Sequence, residues 1–92
     1  MATLVPTGRR EKRTARVVPV ELSRLDQPSL YERAFTENLS PHGARVVTEQ
    51  EWRPGTRILI VSSKAALNSR AHIVYCQHLG INKFAVGVEL LA

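Results

Sequence analysis

The chain carries near its end the stretch Phe84-Ala85-Val86-Gly87-Val88-Glu89-Leu90. In this stretch large apolar side chains recur at every second position, with alanine, glycine and glutamate between them. Because successive side chains of a strand point to opposite faces of a sheet, this spacing predicts a strand with one face on the core. The preceding Gly80-Ile81-Asn82-Lys83 is typical of a hairpin turn. The stretch is therefore predicted to be the second strand of a β-hairpin.

Upstream of this hairpin strand, the chain repeats the same kind of pattern several times. Strand-compatible segments separated by turn-forming residues cover residues 17–22, 30–39, 44–48, 56–62 and 70–79. Six short strands without an amphipathic helix predict an all-β fold, a six-stranded antiparallel sheet closed or nearly closed into a β-barrel. We assign residues 17–92 to this barrel.

Three of the segments allow a finer prediction. Residues 56–62 are apolar on both faces, which predicts a central strand. Pro19 lies in the first segment and lacks an N–H group to donate, which predicts that this strand is near an edge of the sheet. In the segment before the hairpin turn, Ala71, Ile73 and Tyr75 occur at alternate positions and are predicted to share one face.

Length and composition indicate one small soluble domain. The chain has 92 residues, of which 43% are hydrophobic and 23% charged. Its longest aliphatic run, residues 58–61, is far shorter than the ~20 apolar residues of a membrane-spanning helix. Cys76 is the single cysteine, so no internal disulfide can form, and no secretory signal is seen. We therefore expect a cytoplasmic protein without a membrane span.

Positive charge is concentrated in an N-terminal arm, defined here as residues 1–16. Its last part reads Arg9-Arg10-Glu11-Lys12-Arg13-Thr14-Ala15-Arg16, five cationic side chains against one carboxylate, whereas the whole chain has a net charge of +5. The predicted barrel is consequently almost neutral. The arm has no sustained apolar face, so we expect it to be flexible until an anion orders it. This distribution predicts a compact, anionic partner.

A second polar segment, residues 38–43, reads Asn-Leu-Ser-Pro-His-Gly. These residue types are typical of a tight hairpin turn, which is the simplest interpretation when the segment is considered alone. They are also short polar groups beside a glycine, and such a segment allows a ligand to approach the backbone closely.

Together the two segments resemble the paired signature of PilZ domains, RxxxR followed by (D/N)xSxxG. Here Arg9-x-x-x-Arg13 is followed by Asn38-x-Ser40-x-x-Gly43. PilZ domains are bacterial receptors for the second messenger cyclic di-GMP. The resemblance covers residues 9–91, and its further matches are Gly43-Ala44 before a strand, Pro54-Gly55 before the central strand, and the stretch at residues 84–90.

The resemblance implies a receptor and not an enzyme, with no cofactor, no metal and no catalytic residue. The arm would become ordered over bound cyclic di-GMP and pass the signal to a downstream protein. An arginine can pair its planar fork with the O6 and N7 acceptors of guanine or with a phosphate. The implied ligand-binding residues are Arg9, Arg10, Arg13, Asn38, Ser40 and Gly43, with Arg16 and Arg45 as further candidates. Lys12 and Arg16 have the same spacing, which leaves the register of the first motif open.

Other functions remain as alternatives at this point. A PilZ-fold protein-interaction adaptor would depend little on the nucleotide. A small basic barrel could bind RNA or single-stranded DNA, although that function needs charge and aromatic side chains spread over a sheet face, and only 5% of the residues here are aromatic. A metal site built on His72, Cys76 and His78 is disfavoured by the ~13 Å between the first two along a strand. Trp52 and Tyr75 are expected to be packing residues.

Overall fold

The described part of the chain, residues 16–91 of the computed structural model, consists of antiparallel strands joined by short turns. The strands are β1 (Pro19–Arg24), β2 (Tyr31–Ser40), β3 (Gly43–Thr48), β4 (Arg57–Ser62), β5 (Leu67–Gly80) and β6 (Lys83–Leu90). They close into a barrel in the order β1-β2-β3-β6-β5-β4, and no helix occurs among these residues. The predicted all-β, six-stranded antiparallel barrel is therefore confirmed.

The barrel interior is filled by the alternate apolar side chains that the strand patterns predicted. The largest of the fully buried apolar side chains are those of Leu22, Val46, Ile58, Ile60, Ile73 and Val86. Burial of such branched side chains contributes about 1.5–3 kcal/mol each, which makes this core the main source of stability. Trp52 joins the same cluster, which confirms the prediction that it is a packing residue.

Strand β1 is not at an edge, so the prediction drawn from Pro19 is wrong. In the closed barrel β1 pairs with β2 on one side and with β4 on the other. Pro19 is tolerated because it is the first residue of the strand, where the pairing with β2 has begun and the pairing with β4, which starts at Glu21, has not.

Strand β5 contains a bulge that reverses its alternation. Ile73 pairs with Val88 and Tyr75 pairs with Gly87, so Val74 is an extra residue without a partner on β6. Ile73 is 1% exposed and faces the core, whereas Tyr75 is 39% exposed on the outer surface. The prediction that Tyr75 shares the face of Ala71 and Ile73 is therefore wrong, because an extra residue shifts the side chains that follow it to the opposite face.

Candidate functional site

The hairpin of β2 and β3 carries the second predicted motif, with its polar side chains on the outer surface. The turn itself is short, Pro41 and His42, because Ser40 already pairs with Gly43. Asn38 pairs with Arg45 in the same ladder, and the Ser40 hydroxyl donates to the Gly43 carbonyl oxygen at 3.3 Å. Most of the predicted turn is thus regular strand pairing.

A second bulge turns this motif outward. On β2, Thr36 pairs with Val46 and Asn38 pairs with Arg45, so Glu37 is the extra residue. Thr36 is buried, and strict alternation from it would have pointed Asn38 into the barrel. Instead Leu39 packs against the core, and Asn38 and Ser40 lie on the outer face.

The outward side chains form one wall of a surface groove of about 440 Å³. It crosses β2, β3, β6 and β5, and it is lined among others by Asn38, Ser40, Gly43, Arg45, Tyr75 and Glu89. A larger groove of about 820 Å³ lies elsewhere, against Tyr31, Phe35 and Ile81. Since the larger groove contains none of the predicted ligand-binding residues, we take the smaller one as the candidate ligand site.

Arg45 is the centre of a hydrogen-bond network on the groove wall. Its Nε donates to Glu37 Oε1 at 2.6 Å, one terminal nitrogen donates to the Tyr75 hydroxyl at 2.9 Å, and the other reaches Gln77 Oε1 at 3.4 Å. The hydrogen bonds to Glu37 and then to Tyr75 raise the pKa of Arg45 above its ordinary value. The guanidinium is therefore charged at any physiological pH and is held in one orientation.

Two glycines of the groove are required by close packing. A Cβ on Gly43 would lie 2.6 Å from the Val88 carbonyl oxygen, so β3 can pair this closely with β6 only without a side chain there. A Cβ on Gly87 would overlap the Tyr75 ring, which lies across this residue. From the sequence, Gly43 was predicted to let a ligand approach the backbone. The structure shows in addition that it allows β3 and β6 to pair closely.

The residues just before β1, residues 16–18, lie beside the same groove. The Thr36 hydroxyl donates to the Arg16 carbonyl oxygen at 2.6 Å and accepts from the Val18 amide at 3.0 Å, and the Thr36 amide donates to the Val18 carbonyl oxygen. Because β1 and β2 are antiparallel, the chain traced back from Val18 to Arg16 runs along β2 toward Asn38. The arm therefore joins the barrel beside the outward-facing motif.

The described residues of the predicted site are thus brought together, and further groups join them. Asn38, Ser40, Gly43 and Arg45 all line the groove, and Arg16 is exposed where the chain approaches it. The others, Arg9, Arg10 and Arg13, lie outside the described residues, so their part in the site stays a prediction. Sequence reasoning missed Glu37, Tyr75, Gln77, Gly87 and Glu89, because their contacts with the motif are made across strands.

The groove is almost neutral by itself. Of the groove residues that the structure describes, Arg45 is the one arginine or lysine, and its charge is compensated by Glu37. Glu89 adds a carboxylate, which lies 3.1 Å from Nε2 of His72. Within residues 16–91 there is no grouping of three or more His, Cys, Asp or Glu side chains suited to a metal ion, and no helix long and apolar enough to cross a membrane.

A polar groove on the outer wall of the barrel, beside the point where the arm joins it, is the geometry of a candidate ligand-binding domain. The model of the PilZ domain family matches residues 7–92, almost the whole chain and a range that contains the positions of both motifs. The chain belongs to the PilZ domain family, whose members are in general receptors for cyclic di-GMP. No curated protein matches the chain significantly.

Proposed function

We propose that this chain is a receptor that binds cyclic di-GMP in the groove formed by β2, β3, β6 and β5, with the arm closing over the ligand. The observation that carries the proposal is that the chain enters the barrel beside the second motif. Arg13 and Asn38 are far apart in sequence, yet the chain enters β1 through hydrogen bonds to Thr36, two residues from Asn38. Ligand contacts from both motifs are therefore possible at one place.

The charge balance of the groove supports a role for the arm. Cyclic di-GMP is a dianion, and the groove offers it Arg45 together with the carboxylates of Glu37 and Glu89. A dianion would gain little from such a surface. The missing positive charge is supplied in this proposal by Arg9 and Arg13, with Arg10 and Arg16 as additional cations.

The chemistry of the ligand fits the groups at hand. An arginine fork can hydrogen-bond the O6 and N7 edge of a guanine or a phosphate, and the Asn38 amide and Ser40 hydroxyl offer a donor and acceptors at fixed positions. No bond is made or broken. Binding instead couples occupancy to the order of the arm, which a downstream protein then recognises.

Calorimetric titration with cyclic di-GMP at physiological salt tests the proposal. The wild type should bind saturably, with GMP as the low-affinity control, and Arg13→Ala should weaken binding about tenfold to a hundredfold, since a charge-assisted hydrogen bond contributes about 1.5–3 kcal/mol. Arg53→Ala removes the same charge from an exposed connection and should bind like the wild type. Equal affinity of Arg13→Ala and wild type would refute the proposed contact of Arg13 with the ligand.

A protein-interaction adaptor is the second candidate, and one observation favours it. The larger groove exposes Tyr31, Phe35 and Ile81, and soluble monomers seldom expose grouped large apolar side chains without a partner. The same titration separates the two functions, because a folded wild type that gives no heat with cyclic di-GMP would support the adaptor and refute the receptor.

A further inference from the structure

The candidate ligand groove contains two aromatic rings, the imidazole of His42 in the turn and the larger ring of Tyr75 on the barrel wall. Tyr75 reaches this place only because Val74 is a bulge, since regular alternation from Ile73 would have buried the ring. β-Bulges often lie next to functional sites, where they re-aim a side chain. An aromatic ring turned out of the core into a polar groove therefore suggests a ligand contact.

The Tyr75 ring packs against the backbone of β6 at Gly87. Gly87 is the cross-strand partner of Tyr75, and the ring occupies the space that a side chain on Gly87 would fill. The backbone of β6 supports the inner side of the ring, and the residue is still 39% exposed. The residue lines the groove, so part of its exposed surface is accessible from there.

Arg45 fixes the orientation of the ring. Its terminal nitrogen donates to the Tyr75 hydroxyl at 2.9 Å, and its guanidinium carbon lies 5.9 Å from the ring centroid. Arg45 is itself held by Glu37, so the ring is constrained from two directions. A side chain that is already ordered loses little entropy when a ligand contacts it.

The ring is also in line with the polar motif. Asn38, Arg45, Gly87 and Tyr75 are successive cross-strand partners on β2, β3, β6 and β5. At ~4.8 Å between neighbouring strands, this row is about 14 Å long. It has an amide at one end and an aromatic ring at the other, with a guanidinium between them.

We infer that Tyr75 is the platform on which a purine base of the ligand stacks, with Arg45 as the residue that positions it. This inference rests on the proposed function and names the part of the groove that receives a base. Every nucleobase has an aromatic face that can stack on such a ring, and loss of a stacking aromatic weakens binding about fivefold to a hundredfold.

The first test compares substitutions at Tyr75 by calorimetric titration with cyclic di-GMP. Tyr75→Leu removes the aromatic ring and should weaken binding about fivefold to a hundredfold. Tyr75→Phe keeps the ring and loses the hydrogen bond from Arg45, so it should bind more weakly than the wild type and more tightly than Tyr75→Leu. The matched control is Tyr31→Leu, at an exposed tyrosine of the larger groove, and it should bind like the wild type.

The second test observes the ring directly. The chain has two tyrosines, so Tyr31→Phe leaves Tyr75 as the single tyrosine that can be isotope-labelled. Its ring proton resonances should move upfield on addition of cyclic di-GMP and show nuclear Overhauser contacts to guanine.

The experiments distinguish failure of the Tyr75 platform from failure of the proposed receptor function. If the wild type binds cyclic di-GMP while Tyr75→Leu binds equally well and the ring resonances stay in place, the platform is refuted and the receptor stands. If the folded wild type does not bind at all, the proposed function is refuted and the platform with it.

Discussion

Thr36 connects the stability of the barrel to the proposed ligand site, and its hydroxyl can be removed alone. The side chain is 2% exposed, its hydroxyl donates to the Arg16 carbonyl oxygen and its oxygen accepts from the Val18 amide. Thr36→Val keeps the size of the side chain and leaves the Val18 amide without this acceptor. A buried polar group without a partner costs about 1–3 kcal/mol, so the free energy of unfolding should fall by that amount.

The same substitution should weaken the binding of cyclic di-GMP. Without the Thr36 hydroxyl, residues 16 and 17 are no longer fixed along β2 and would have to be ordered when the ligand binds, whereas Val18 keeps its hydrogen bond from the Thr36 amide. Ordering costs about 1–2 kcal/mol per residue, so release of two residues should weaken binding on the order of tenfold or more.

Urea denaturation followed by the fluorescence of Trp52, the single and buried tryptophan, measures the first effect, and calorimetry measures the second. Thr48→Val is the matched control. Thr48 is also 2% exposed, and its hydroxyl donates to the Gln50 carbonyl oxygen at 2.8 Å. It lies at the end of β3 opposite to Gly43, which lines the candidate groove. It should lose stability and keep its affinity. If both variants bind like the wild type, or if both lose affinity equally, the reasoning that Thr36 positions the arm is refuted.

Two stability predictions concern the fold alone. Glu32 is buried, and its carboxylate accepts hydrogen bonds from the backbone amides of residues 49–50 and from the Trp52 indole. In urea denaturation, Glu32→Gln should therefore lower the free energy of unfolding by about 2–4 kcal/mol. Its affinity for cyclic di-GMP should not change. Gly43→Ala places a Cβ 2.6 Å from the Val88 carbonyl oxygen and should cost about 1–3 kcal/mol, whereas Gly80→Ala meets nothing within 4 Å and should be tolerated. An unchanged unfolding midpoint for Glu32→Gln or Gly43→Ala would contradict the corresponding contact.

The sequence was sufficient to predict the barrel because the alternation of apolar and other side chains within each strand is a local pattern. In β6 the large apolar side chains recur at every second residue, and Val86 and Val88 of this series are buried in the structure. The arrangement around Arg45 could not be predicted in the same way. Its partners Tyr75 and Gln77 are more than 29 residues away in sequence, and they meet it only after β3, β6 and β5 have paired.

The two bulges were the decisive features that local patterns could not show. A bulge depends on the register that a strand must keep with its neighbours in a closed barrel, and that register is a property of the whole sheet. Tyr75 was consequently assigned to the core. For the segment of residues 38–43 the prediction of a turn was correct in kind, but it was too long because Asn38 and Ser40 belong to β2.

The bulges also explain how a small barrel can form a site on its wall without losing core volume. Strict alternation from Thr36 and Ile73 would bring Asn38 and Tyr75 inside, and after each bulge the next residue takes the inward position instead. These residues are Leu39 and Cys76, and both pack against the core. The wall thereby gains fixed amide and aromatic groups in the row that contains Arg45, and that row has no surplus positive charge. In the proposed complex the wall provides shape and selectivity, and the electrostatic attraction comes from the arm, so that ligand occupancy is converted into order of the arm.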